Sequence, residues 1–255
     1  MLVGTCEDEP VTTSEVKNKW RDVMTSVSAE IANEPSWRLY ADYCKARAGN
    51  PFDHSKVAAE QFVRVAQEWS FEEKKRFSLW LTDSTGRIME SFGRSKHESR
   101  ATTGGPGIFA PRIVVSAILL PTLVEWRRKE PTNPEPYFWL ALYDHNGHPK
   151  RSLREAIRLD PAYSPARAAL AQHILKCIEY NQHELPSGYL GNPVDDLIAL
   201  NEAHVLVAES VKPPVRASLE EQILLFRTIA EDWVRLSGQL KGLDRNARTA
   251  IWRSR

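Results

Sequence analysis

Cysteine is scarce: Cys6, Cys44 and Cys177 are all the chain contains. An odd number at wide spacing excludes a disulfide framework and a cysteine-based zinc site. It suits a reducing, cytoplasmic setting. Charge of one sign is also missing, since 34 Lys and Arg stand against 33 Asp and Glu, for a net charge of +1. General binding to nucleic acid is therefore not expected. The most apolar stretch, Ile113 to Val124, is interrupted by Pro121 and too short to span a bilayer, so no membrane partner is expected. The first ten residues hold Glu7, Asp8 and Glu9 and no apolar run, so no secretory leader is expected. No segment of strand length alternates apolar and polar residues. These absences leave an all-α chain.

What is present is helical periodicity. Eight Trp, eight Phe and seven Tyr supply large apolar area. From Ser14, Val16, Trp20, Val23 and Val27 recur at spacings of three and four. A second helix is expected over Ser36 to Ala48, stopped by Gly49. A third runs from Pro51 to Trp69 with Ala58, Phe62, Val65 and Trp69 as its stripe. Ser70 caps a fourth, with Glu72 and Glu73 in its first turn. Residues 1–85 thus read as an N-terminal helical part. Gly86, Gly93, Gly104, Gly105, Pro106, Gly107 and Pro111 mark 86–111 as a connector, with a helical turn or so expected over Gly86 to Phe92. Residues 112–240 read as a C-terminal helical part. It opens with an apolar helix, Arg112 to Lys129, kinked near Pro121. Residues 241–255 read as a polar, basic tail that frays.

Within the C-terminal part a phrase is duplicated. Glu130-Pro131 through Leu140-Ala141 returns as Asp160-Pro161 through Leu170-Ala171, thirty residues later. Each copy closes one helix and opens the next. Leu153, Ala156 and Leu159 followed by Asp160-Pro161, then Leu170, Ala171 and Ile174, resemble a tetratricopeptide repeat. The Leu153, Ala156, Leu159 phase returns as Leu200, Ala203, Leu206. The units are unequal: 15 residues separate Ala141 from Ala156, and 32 separate Ala171 from Ala203. The extra residues fall around Glu179 to Asp195. The resemblance covers about two degenerate units, Pro131 to Val211. It implies stacked antiparallel helical hairpins and a groove, lined by the first helices, that holds a peptide or protein segment. The basic clamp of the chaperone-tail binders is absent, so no binding residue carries over.

The chemical motifs are weak. Gly104 to Gly107 lacks the preceding strand and the Gly-Lys-Ser/Thr ending of a phosphate loop. His145 and His148 flank Asn146-Gly147, which marks a turn, and no companion metal ligands stand near. His183-Glu184 precedes Pro186, which stops a helix. Asp195 and Asp196 suit the positive end of a helix starting at Pro193. His204 falls with Leu197, Leu200, Val207 and Val211 and reads as partly buried.

Taken together, a non-catalytic protein- or peptide-binding module is expected, of adaptor or scaffold type or like a bacterial immunity protein. No cofactor or metal is implied. Candidate binding residues are Trp139, Tyr143, Arg167, His183, Glu184 and Tyr189, on first helices of the hairpins or in the loop after Ile178. The alternative is a small enzyme with a site between the two helical parts near His183, Glu184, Asp195 and Asp196. A monomer or a homodimer fits. In a homodimeric scaffold, Ile113 to Val124 would be the interface.

Overall fold

Helix starts are encoded in side chains. The Ser70 hydroxyl accepts from the Glu73 amide at 3.3 Å, and the Glu73 carboxylate accepts from the Ser70 amide at 3.1 Å. This capping box satisfies two amides that the helix itself leaves open. Asn192 accepts from the Val194 amide at 3.1 Å and Asp244 from the Ala247 amide at 2.9 Å. Among the described residues five other starts carry proline in the first turn, where its missing N–H costs nothing.

A computed structural model describes residues 13–49, 52–91, 110–144, 147–211 and 213–254. Among them every regular element is helical, so the fold is all-α. Two compact units divide the chain, Met1–Lys129 and Glu130–Arg255.

The first unit holds α1 (Thr13–Ile31), a 3-10 turn at Pro35–Trp37, α2 (Arg38–Gly49), α3 (Phe52–Gln67) and α4 (Phe71–Ser91). After residues outside the description come α5 (Arg112–Val114), a π turn at Val115–Leu119 and α6 (Leu120–Lys129). Its core is aromatic. Tyr40, Phe62 and Phe77 are fully buried, with ring centroids 4.9 to 5.1 Å apart. Trp37, Trp69 and Trp80 close around Phe77. On α3 this cluster selects Ala59, Phe62, Val63 and Ala66 as the inward stripe, whereas Val65 is exposed. The expected phase through Val65 is thus off, because Phe62 faces three rings, Tyr40, Trp69 and Phe77, and sets the helix rotation.

Two boundaries move. Helix α4 continues through Gly86 to Ser91, so the first six residues of the expected connector are helical. The rest, with Gly93 and the Gly104 to Gly107 loop, lies outside the described residues. The helical run 112–129 packs against α3 and α4 of the first unit instead of opening the second. Val114, Ile118, Leu119, Leu123 and Trp126 are buried there. An interface for a second copy along Ile113 to Val124 is left with Ile113 and Val124 as its exposed large apolar side chains. The expected kink takes the form of the π turn just before Pro121. Proline cannot donate to the carbonyl four residues back, and a widened turn relieves that mismatch.

The second unit holds α7 (Glu135–Tyr143), α8 (Pro149–Leu159), α9 (Ser164–Gln182), α10 (Pro193–Ser210), α11 (Pro213–Leu240) and α12 (Arg245–Arg253). Consecutive helices from α7 to α11 pack on one another, and α9 also meets α11. Ala156, Ala171 and Ala203 are fully buried, where a small side chain permits close approach of helices. The duplicated phrase duplicates its bonds. Asn133 N–H donates to Glu130 O and Tyr163 N–H to Asp160 O. Tyr137 donates to Pro131 O at 3.2 Å, and Arg167, at the matching position, donates to Pro161 O at 3.1 Å.

The 241–255 segment does not match the expected fraying tail. Capped by Asp244, it forms α12. Arg248 there donates to Ser187 O at 2.9 Å, and Trp252 meets Trp233 at 5.9 Å.

Replacing Phe77 with Ala should cost about 3–5 kcal/mol, because the vacated space is walled by rings that cannot collapse into it. Denaturant unfolding of the variant against the wild type measures this; a loss under about 1 kcal/mol contradicts a Phe77-centred core.

Candidate functional site

The loop after α9 is bound in place by a buried polar network. Asp196, 7% exposed, sits in the first turn of α10. Asn181 donates to both its carboxylate oxygens, at 3.0 and 3.1 Å. The Tyr189 hydroxyl donates to Oδ2 at 2.7 Å. Gln182 Nε2 in turn donates to the Tyr189 oxygen at 3.1 Å and to the Phe226 carbonyl of α11 at 3.0 Å. Burial raises the Tyr189 phenol above the ordinary tyrosine range, and the bond to Asp196 adds to the shift. A phenolate there would face a carboxylate at close range. Leu190 N–H donates to Asn181 O at 2.9 Å. A Cβ on Gly191 would lie 2.7 Å from Asn181 Nδ2, so the residue there must be glycine for the amide to reach Asp196. Tyr189 also stands 6.1 Å from Trp233.

This network uses three side chains that the sequence reading passed over: Asn181, Gln182 and Asp196 as an acceptor. A signal existed. Ile174, Ile178 and Gln182 are spaced at i, i+4 and i+8, so Gln182 continues an apolar stripe and must be inward. An inward amide requires partners.

The proposed binding residues are not brought together. Arg167 is 5% exposed and turned inward. Its Nε donates to Leu206 O at 3.0 Å and its Nη2 to Val205 O at 2.9 Å, late in α10. With Nη1 on Pro161 O, the guanidinium serves three carbonyls. Its donors are thus engaged within the fold. Tyr143 is buried, and Trp139 is half-buried against Phe138 at 4.6 Å. Tyr189 belongs to the network. His183 and Glu184 are exposed. They pair with each other at 3.0 Å, while His183 Nδ1 donates to Tyr180 O and the ring lies against Tyr180.

The alternative reading, a small enzyme, needs His183, Glu184, Asp195 and Asp196 to converge. All four lie in the second unit. Asp196 is engaged by Asn181 and Tyr189. Asp195 is exposed at the start of α10, and neighbouring helical positions diverge by about 100°. His148 precedes α8 and is exposed; Gly147 N–H donates to Asp144 O in a turn. His145 and Asn146 lie outside the described residues. His204 is exposed, not partly buried, because the core takes Leu200, Ala203 and Val207 from α10.

Two surfaces escaped the sequence reading. The first joins α10 and α11. Ile198, Asn201 and Val205 share one face of α10, and Leu224 and Arg227 share one face of α11. Arg227 donates to Asn201 Oδ1 at 2.7 Å, so the two faces adjoin. Ile198, Val205 and Leu224 around that bond are 63%, 54% and 65% exposed. The second is the outward face of α8, where Lys150, Arg151, Arg154 and Arg158 gather around an open depression.

Among the described residues no group of three or more His, Cys, Asp or Glu is placed to hold a metal ion, and no helix is long and apolar enough to cross a membrane. Compared with protein-family models, with curated proteins and with solved structures, the chain matches none. The class of protein therefore rests on fold and surface: an all-α protein whose second unit stacks consecutive helices.

Changing Tyr189 to Phe should cost about 1–3 kcal/mol, since Asp196 loses a donor while remaining buried. A thermal melt with Gly191→Ala alongside checks it: both variants should lower Tm. Two unchanged melts would show the network to be energetically idle.

Proposed function

We propose that this chain is a non-catalytic protein-binding module, of adaptor or scaffold type, that takes its partner on the seam of α10 and α11. One observation carries the reading: three large apolar side chains, Ile198, Val205 and Leu224, stand more than half exposed around the Asn201–Arg227 bond. Helix α10 is apolar on two sides. Leu200, Ala203 and Val207 face the core, while Val194, Ile198 and Val205 face out. A surface helix needs only one apolar stripe to join its core. The second stripe is surplus to folding and gives a partner something to cover. The arrangement, apolar anchors around a polar pair, suits a partner surface that excludes water from that pair. The local engagement of Asp196, His183 and Glu184 also favours binding over catalysis. The resemblance of Pro131 to Val211 to tetratricopeptide repeats agrees, since that family holds protein segments.

Glutamates at Ile198 and Leu224 test this. Wild type and the I198E/L224E variant, matched for helical content and melting, are used to capture proteins from a lysate of the native host. The wild type should retain a discrete partner, and the variant should retain at least about 10-fold less, given the apolar area of two such anchors. Equal retention by both, or none by the wild type, contradicts the seam as the binding surface.

A further inference from the structure

We infer that the outward face of α8 docks a short acidic segment of a protein partner. This goes beyond the seam of α10 and α11, shares no residue with it, and stands or falls separately.

The face is built by sequence period. Lys150, Arg151, Arg154, Glu155 and Arg158 fall within about 140° of arc on one helix, leaving Leu153 and Ala156 to the core. With His148 they line an open depression of about 650 Å³. Four cations here face one carboxylate. Arg158 is held by Glu155 through two bonds, at 2.7 and 2.9 Å, and Arg154 reaches Glu202 at 2.6 Å. Arg151 acts on the same Glu155 through its charge, without a close ion pair, and Lys150 forms no salt bridge among the described residues. The positive field extends to α9. Burial, and then the charges of Lys150 and Lys176, push His173 below the ordinary histidine range. Exposed cations that outnumber their counter-charges recruit an anionic partner and set its rate of encounter.

The chemistry of the face selects a peptide over a nucleic acid. None of the six lining residues is a Phe, Tyr or Trp on which bases stack. Glu155 sits among the cations and repels a phosphate chain. A peptide, by contrast, brings backbone N–H donors for Glu155 along with carboxylates for the cations. Arg151 presents a planar fork suited to a carboxylate, and Lys150 a point charge.

The test titrates the full chain into a short fluorescein-labelled peptide of alternating aspartate and glutamate at low salt, read by anisotropy. An oligothymidylate of equal charge runs in parallel. K150E/R151E should weaken peptide binding at least about 10-fold. K150Q/R151Q, which keeps the helix without reversing charge, should fall between it and the wild type. K56E/R64E, the same charge change on α3, should bind as the wild type does. Wild-type affinity should fall as salt rises. The inference is overturned if the wild type does not bind the peptide, if it binds the oligothymidylate more tightly, or if K56E/R64E loses as much as K150E/R151E.

Discussion

The Arg167 guanidinium is the interaction on which the second unit depends. It lies at the start of α9, nearly free of solvent, and gives its protons to Pro161 before its own helix and to Val205 and Leu206 late in α10. A buried cation is costly unless its donors are satisfied. Here the late carbonyls of a helix, which carry the negative end of its dipole, provide the counter-field. Arg167 therefore fixes both the angle at which α9 leaves its turn and the register of α10 beside it.

The opposite end of the same helix pair is fixed by different chemistry. Asn181 and Tyr189 converge on Asp196, and Gln182 ties them to the Phe226 carbonyl of α11. With one lock at each end, α9 and α10 run antiparallel without freedom to slide. Polar networks of this kind specify register as well as stability. The long loop between the helices is held at the Asp196 end, by Leu190 N–H to Asn181 O and by Arg248 to Ser187 O. The positions left facing water are then set: an apolar seam on α10 and α11, and a cationic face on α8. Those two faces are what the unit offers to other molecules.

The all-α class was legible in the sequence, and so were most helix limits. Ser70 and Glu73 announced their capping box, and the duplicated acid-Pro phrase announced two turns with matching bonds. Three things were not legible. The place of residues 112–129 depended on their packing against α3 and α4, and periodicity along one helix cannot show which neighbours it meets. The basic count of residues 241–255 hid Asp244 as a cap and Trp252 as an anchor. Arg167 and Tyr189 read as surface groups because charge and hydroxyl usually mean exposure; their burial depends on acceptors brought from α10, nearly forty residues away in the case of Arg167. Binding sites were hardest to read. Tyr143, Arg167 and Tyr189 were consumed by the fold, while Ile198, Val205 and Leu224, which belong to no motif, stand exposed.

The central claim is that Arg167 anchors α10 to α9. The most direct measurement is native-state hydrogen exchange on Arg167→Met, which keeps the volume and removes the donors. Amides at the end of α10 should exchange faster, with stability lower by at least about 2 kcal/mol, the scale of lost charge-assisted bonds. Exchange and stability within about 0.5 kcal/mol of the wild type would show that packing alone holds the pair and would contradict the account.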